Sequence, residues 1–416
     1  MSRSERLPAL KHRDFRNFVF GSLLSNIGGQ VQTWAIAWHL YHLTGSSLAV
    51  GTVGLVRVVP LLGLGLFGGV VADQFERRGI LIITQLFQAA IAIALVALTL
   101  AGQITQPLLY VAVGLGAAAQ AFNGPARQAM VAGLVPPKDF PNAASVNGIQ
   151  WRLSEVLGPA LAGLLIGNAS FAGMSGLSLC YLINAVSFIA IIGAVYLIPR
   201  KAVDPSLRAS SPKEVLRSIG EGFQFIRKAP VLRSAMWIDF WATLLSGANA
   251  LLPAFAGKVL NLGPEAFGLL AASSGVGAMV ASVVLAWSPT IHRQGRWVII
   301  MIGVYGLFTL LFGLSPNLFT AGIFLAVTGA ADMISTVLRQ TIRQLSTPDE
   351  MRGRMSAMSM LFHVTGPQLG DFEAGVLATL AGERISIAVG GIGAMGVSGW
   401  YWVKGRALKG YVHQWK

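Results

Sequence analysis

Twelve apolar runs divide this chain, at residues 17–42, 47–72, 79–101, 106–134, 141–167, 173–198, 231–257, 264–288, 296–315, 317–342, 353–381 and 385–404. A hydrocarbon core about 30 Å thick needs roughly 20 helical residues at a rise of about 1.5 Å each, so every run is long enough to cross it. None alternates polar and apolar residues as a membrane strand would, which selects helices over a barrel. With 54% of residues hydrophobic, 12% charged and a mean hydropathy of +0.63, a chain of 416 residues carries more apolar surface than a soluble fold buries. Its 49 glycines suit helices that approach closely in lipid. The sequence therefore predicts an all-α integral membrane protein.

The placement of charge gives the topology. The formal net charge is +14. Of the 31 Lys and Arg, only Lys258 and Arg384 fall in connections opposite the N-terminus, and Arg57, Arg127, Arg152 and Arg339 lie deep within spans, with Arg233, Arg296, Arg354 and Lys404 at span ends on the N-terminal side. The rest gather on one side, the positive-inside pattern, which predicts two cytoplasmic termini. The basic balance thus reports orientation and contact with anionic lipid rather than binding of nucleic acid. Span 1 is too long for the core of a signal peptide and no small-residue cleavage site follows it, so it is expected to be retained.

Residues 127–163 and 339–375 look like worn copies of each other, about half a chain apart. Each has an arginine in an apolar helix, a proline-bearing polar turn, and a second apolar helix carrying Gly-Pro. A repeat of this kind predicts two matching bundles that open a central site to either side in turn. The expected division is an N-terminal six-helix bundle over residues 1–199, a cytoplasmic linker over 200–230 and a C-terminal six-helix bundle over 231–416. Within the linker, residues 212–228 read as an amphipathic helix with Val215, Ile219, Phe223 and Ile226 on one face.

Other classes find little support. Cys180 is the only cysteine, so no intramolecular disulfide or cysteine metal site is available. No nucleotide-binding loop, paired nucleophile and base, or metal cluster is apparent, which disfavours an ATPase, an intramembrane enzyme and any metal or other cofactor. No carbonyl filter or ring of like charge suggests a channel. One chain of twelve spans is expected to form a complete path as a monomer.

The connection between spans 2 and 3 reads Gly68-Gly69-Val70-Val71-Ala72-Asp73-Gln74-Phe75-Glu76-Arg77-Arg78. It resembles the signature loop of the major facilitator superfamily, whose pattern falls on Gly69, Asp73, Arg77 and Arg78. Gln74 and Glu76 depart from it. The acidic residue before Arg77-Arg78 is similar to the drug:proton antiporter subgroup, which contains siderophore, macrolide and multidrug exporters. Further similar stretches run from Ser25-Asn26-Ile27-Gly28 to Gln368-Leu369-Gly370-Asp371-Phe372-Glu373-Ala374-Gly375. In span 5, Gly158, Pro159 and Gly163 resemble the antiporter motif of this superfamily, although its upstream glycine is missing. The resemblance implies twelve transmembrane helices in two pseudo-symmetric bundles, a bacterial-type inner membrane, and proton-driven export by alternating access. An importer or facilitator of the same fold is the alternative.

Ionisable groups within spans are the candidates for chemistry, because each costs about 2.5–3.5 kcal/mol at the bilayer centre on insertion scales and needs a partner or a wet cavity. Arg152 and Glu155 share a helix face, and their depth is compatible with a midplane cluster that includes Arg127. Glu155 is the leading proton carrier on this reading, with Asp239 and Asp332 competing and Arg339 on the stripe of Asp332. The same Arg152–Glu155 pair also reads as a fixed salt bridge. Arg57 either faces the cavity or reaches toward the outer surface. Gln30, Trp34, Trp38, Asn147, Trp237, Trp241, Asn249, Asp371 and Glu373 are further cavity candidates, each also readable as packing. The expected partners are a small organic substrate, siderophore-like or amphiphilic and drug-like, together with protons and membrane lipid.

Overall fold

The structure is a computed structural model that describes residues 8–168, 173–199, 212–289 and 291–412. Its long helices are α1 (Arg13–Thr44), α2 (Ser47–Gln74), α3 (Arg77–Leu100), α4 (Gln106–Gly133), α5 (Phe140–Asn168), α6 (Gly176–Tyr196), α7 (Pro212–Lys228) and α8 (Pro230–Leu245). The short α9 (Leu252–Ala254) precedes α10 (Pro264–Trp287), α11 (Gln294–Leu314), α12 (Leu318–Leu345), α13 (Arg352–Ala381), α14 (Glu383–Lys404) and the short α15 (Arg406–Lys409). These form the twelve-span, all-helical architecture read from the sequence, with one span interrupted. Six helices qualify as spans on length and composition alone among the described residues: α2 (over Ser47–Gly65), α3, α6, α10, α11 and α12. Several of the others, notably α1, α5, α8 and α13, carry amide, tryptophan or charged residues, as expected of helices that line a wet interior.

Helix ends follow local chemistry. Ser175 caps α6 by accepting from the Ser178 amide, and Asn317 caps α12 through the Thr320 amide. Gly382 separates α13 from α14 at φ +89°, a backbone that disfavours a side chain.

The chain separates into two compact units whose borders differ from the sequence-based division. Unit 1 holds Met1–His39 and Val59–Lys213, and unit 2 holds Leu40–Val58 and Glu214–Lys416. The hairpin joining α1 to α2 therefore groups with the C-terminal bundle, a placement invisible to a linear reading. Side-chain contacts hold it within unit 2. Lys258 Nζ donates to the Gly45 carbonyl at 2.7 Å, and Ser47 Oγ donates to Glu383 Oε1 at 3.0 Å.

Unit 1 is built on a core of Phe15, Phe18, Ile80, Leu81, Phe188 and Ile191. His12 Nε2 lies 2.9 Å from Asp139 Oδ2, tying the N-terminal segment to the turn before α5. Gly158 faces Gln30, where a Cβ would collide with the Gln30 side chain, so this glycine sets the approach of α5 to α1. In the signature loop Gly68, rather than Gly69, makes the close approach, against the Ala121 carbonyl of α4. Gly69 faces open space.

Unit 2 centres on Ile238, Val298, Ile299, Leu338 and Ile342. The amphipathic α7 forms as expected, and its Ile226 is buried with Leu232, Met236, Met355 and Met358 while Phe223 stays exposed. The side chains of Val215 and Ile219 lie outside the described residues.

Span 7 is not the continuous helix expected over 231–257. It stops at Leu245, runs irregularly through Ser246, Gly247 and Ala248, and resumes as 3-10, α and π turns from Asn249 to Val259. Gly247 explains why the chain passes here, since a Cβ at this position would overlap the Gly370 backbone of α13. Irregular backbone at membrane depth is tolerated where it lines a cavity. One is found at this break.

Candidate functional site

The arginine of each repeat copy reaches the first helix of its own half. In unit 1, Arg127 on α4 donates from Nη1 to Asn26 Oδ1 on α1 at 2.8 Å and from Nη2 to the Ser22 carbonyl at 3.4 Å. In unit 2, Arg339 on α12 pairs through Nη2 with Asp239 Oδ1 on α8 at 2.7 Å. The repeated geometry meets a neutral amide in one half and a carboxylate in the other. Only the second arrangement holds a group that can exchange a proton.

Elsewhere in unit 1, Arg152 and Glu155 pair within α5 at 2.6 Å, with the two side chains 31% and 29% exposed. Trp151 Nε1 also donates to Glu155 Oε1 at 2.9 Å. No hydrogen bond or ion pair among the described residues joins Arg127 to this pair, so the expected three-member cluster resolves into two separate groups. Asn147 accepts from Gln150 Nε2 at 3.0 Å. Gln30 packs at Gly158, and Trp34 and Trp38 are half-buried on α1. Pro159 and Gly163 are buried within an unbroken α5. Arg77 and Arg78 donate to the carbonyls of Ala129 and Tyr196, fastening the start of α3 to α4 and α6. The side chain of Asp73 lies outside the described residues.

Unit 2 contains a polar cavity of about 150 Å³ at the break in span 7. Asp239, Asp332, Asp371, Asn249, Tyr305 and His363 line it together with Thr243 and Ser246. The Asp239–Arg339 pair is nearly enclosed, its side chains 12% and 9% exposed, and Arg339 also donates to Ser335 Oγ and Thr336 Oγ1. His363 Nδ1 stands 3.9 Å from Asp239 Oδ2. Asp371 Oδ1 accepts from the Ala250 amide at 3.2 Å, at the resumption of the broken span. Arg57, from the α2 portion of unit 2, acts electrostatically on Asp371. Tyr305 donates to the Ser246 carbonyl at 3.3 Å and feels the charges of Asp332, Asp371 and Asp239.

The structure thus brings Asp239, Asp332, Asp371 and Asn249 to one cavity, with Arg339 paired at its wall. Trp237 and Trp241 stack on each other at 6.0 Å in an aromatic group with Phe240 and Phe362. These two tryptophans, and Glu373 two residues beyond Asp371, do not line the cavity. Several lining residues escaped the sequence reading, among them His363, Tyr305, which sits in a nearly uniform apolar run, and Ser246, which gains its place only because the helix breaks there.

A bundle of twelve membrane helices with a charged, enclosed site is the architecture of a secondary transporter. Residues 4–407 match the major facilitator family described as Transmembrane secretion effector, and the chain belongs to it. Among curated proteins it is 26% identical to the enterobactin exporter EntS of Salmonella choleraesuis (strain SC-B67), covering 92% of this chain and 90% of that protein. It is 25% identical to EntS of Escherichia coli O81 (strain ED1a) over the same shares. Solved structures share the fold. The nucleoside transporter NupG has a TM-score of 0.73 at 13% identity, covering 94% and 98% of the two chains. A bacterial homologue of the iron transporter ferroportin has a TM-score of 0.69 at 18% identity, with the same shares covered. The chain is therefore a membrane transporter.

Proposed function

We propose that this transporter exchanges protons for a small organic molecule, siderophore-like or amphiphilic and drug-like, and that Asp239 is the proton-exchanging group. One observation carries this reading, the enclosed Asp239–Arg339 pair beside His363 at the wall of the cavity. A carboxylate held by one guanidinium in a low-dielectric site stays charged while paired, and takes a proton when the pair opens. Alternating access supplies that opening, because a helix that shifts with the cavity changes the Asp239–Arg339 distance. His363 offers a second proton-binding nitrogen near the same carboxylate. Glu155, paired on its own helix and one-third exposed, is the competing carrier; the single variants Asp239→Asn and Glu155→Gln separate the two. Export also agrees with the EntS relatives, which are enterobactin exporters.

Proteoliposomes with an imposed pH gradient test the reading, using a panel of cargoes that includes a catecholate siderophore and amphiphilic dyes. Uptake accelerated by an acidic interior supports exchange. Equilibration that ignores the gradient would identify a facilitator instead.

A further inference from the structure

The two halves leave their repeat arginines in unequal states. Arg339 meets the Asp239 carboxylate, whereas Arg127 meets neutral oxygens, those of the Asn26 side chain and the Ser22 carbonyl. No ion pair of Arg127 is found among the described residues, and its third contact is the face of Phe18, with the ring centroid 6.0 Å from Cζ. A guanidinium withdrawn from water needs an opposite charge close by, and a ring face returns less than a carboxylate does. The group carries five N–H donors, of which these bonds engage two, so three remain.

The side chains beside Arg127 are short of acceptors as well. Asn26 commits its Oδ1 to Arg127, which fixes the orientation of the amide, and its Nδ2 is buried without a hydrogen-bond partner. Ser22, four residues earlier on the same face of α1, is 0% exposed and its Oγ also has no partner. Together these groups hold one positive charge, unused N–H donors and a free hydroxyl, with no carboxylate among them. Such a set fits an oxyanion and rejects a cation. Arg127 and Asn26 are each half-buried, so the site is not sealed.

We infer that Arg127, Asn26 and Ser22 form a binding site for the carboxylate of an organic cargo, which takes in the first half the place that Asp239 holds in the second. The planar guanidinium receives the two carboxylate oxygens side by side, and Asn26 Nδ2 and the Ser22 hydroxyl supply further donors. The inference rests on the transport reading above and gives the charge of the cargo. It also keeps the two ligands apart, since Arg127 belongs to unit 1 and Asp239 to unit 2. Where the membrane potential is negative inside, an anion leaving and a proton entering both move with the field.

Calorimetric titration of the purified full-length protein with 3-phenylpropanoate, 3-phenylpropan-1-ol, 2-phenylethylammonium and inorganic phosphate tests it without any gradient. The carboxylate is expected to bind about tenfold or more tightly than the alcohol, as charge-assisted hydrogen bonds predict, and the ammonium compound most weakly. Asn26→Asp gives Arg127 a carboxylate of its own, so it should raise the melting temperature and remove the preference for 3-phenylpropanoate. Arg127→Gln should remove that preference too, and Asn26→Asp decides the matter where Arg127→Gln does not fold. Equal affinities for the organic probes, no binding of 3-phenylpropanoate, or a preference that survives Asn26→Asp would overturn the assignment. So would a preference lost from Asn26→Asp together with a lower melting temperature, which marks a damaged fold, or phosphate bound as tightly as 3-phenylpropanoate, which marks a site for inorganic anions. The proteoliposome measurement stands apart. Gradient-driven exchange with no preference for a carboxylate removes only this inference, and carboxylate binding without gradient dependence removes only the coupling.

Discussion

Asp239 and Glu155 are both carboxylates paired with arginine inside membrane helices, yet their surroundings assign them different weights. The Arg152–Glu155 pair lies on one helix three residues apart and about one-third exposed, the setting in which an ion pair adds about 0.2–0.5 kcal/mol. The Asp239–Arg339 pair crosses between α8 and α12 with its side chains 12% and 9% exposed. Removing one partner of such a pair strands a buried charge and costs about 3–5 kcal/mol. Arg339→Gln is therefore expected to lower the melting temperature of the purified transporter sharply, while Arg339→Gln with Asp239→Asn recovers much of the loss. A double variant no more stable than the single one would show that the pair is not the source of the penalty. For function, Asp239→Asn should keep exchange of substrate for substrate and abolish its acceleration by an acidic interior, whereas Glu155→Gln should retain that acceleration. The reverse pattern in transport assays would move the proton carrier to α5.

Close helix contacts depend on glycines that have no room for a side chain. Gly370 on α13 faces the Thr243 and Leu244 carbonyls of α8, and Gly158 on α5 faces Gln30 of α1. A methyl group added at either site drives the helices apart, at about 1–3 kcal/mol for overpacking. Gly396→Ala on α14 serves as the control, since open space surrounds that position. Thermal melting should fall for Gly370→Ala and Gly158→Ala and hold for the control, and a drop of equal size in all three would refute the packing argument. Existence and length of the helices were legible in the sequence because lipid imposes them, and α7 was found where its amphipathic pattern put it. The break in span 7 was not. Leu251 to Ala256 is as apolar as any continuous span, and the interruption depends on Gly247 meeting Gly370, a contact more than a hundred residues apart in sequence. Likewise the site aspartates stood out singly as charges in apolar runs, but nothing along the chain revealed that Arg339 would choose Asp239 over Asp332, its neighbour on α12.

Across the whole chain, the repeat conserves an arginine and its reach to the leading helix of each half while the group it meets differs, Asn26 in one and Asp239 in the other. Under the proton-exchange proposal both halves supply similar mechanics while only the second carries the titrating group. The plan requires a fixed orientation in the membrane. Since the basic residues gather in the N-terminal segment, residues 199–230 and the C-terminal end, that face is expected to be cytoplasmic. Cys180, the sole cysteine, is 0% exposed, so the natural chain supplies a silent background for labelling. Arg227→Cys on the exposed face of α7 should resist a membrane-impermeant maleimide in intact cells and react once they are opened. Gln103→Cys, in the exposed connection between α3 and α4, should react from outside at once. Labelling of Arg227→Cys in intact cells would place the basic face outside and invert the orientation, and with it the direction in which the proton gradient drives the cargo.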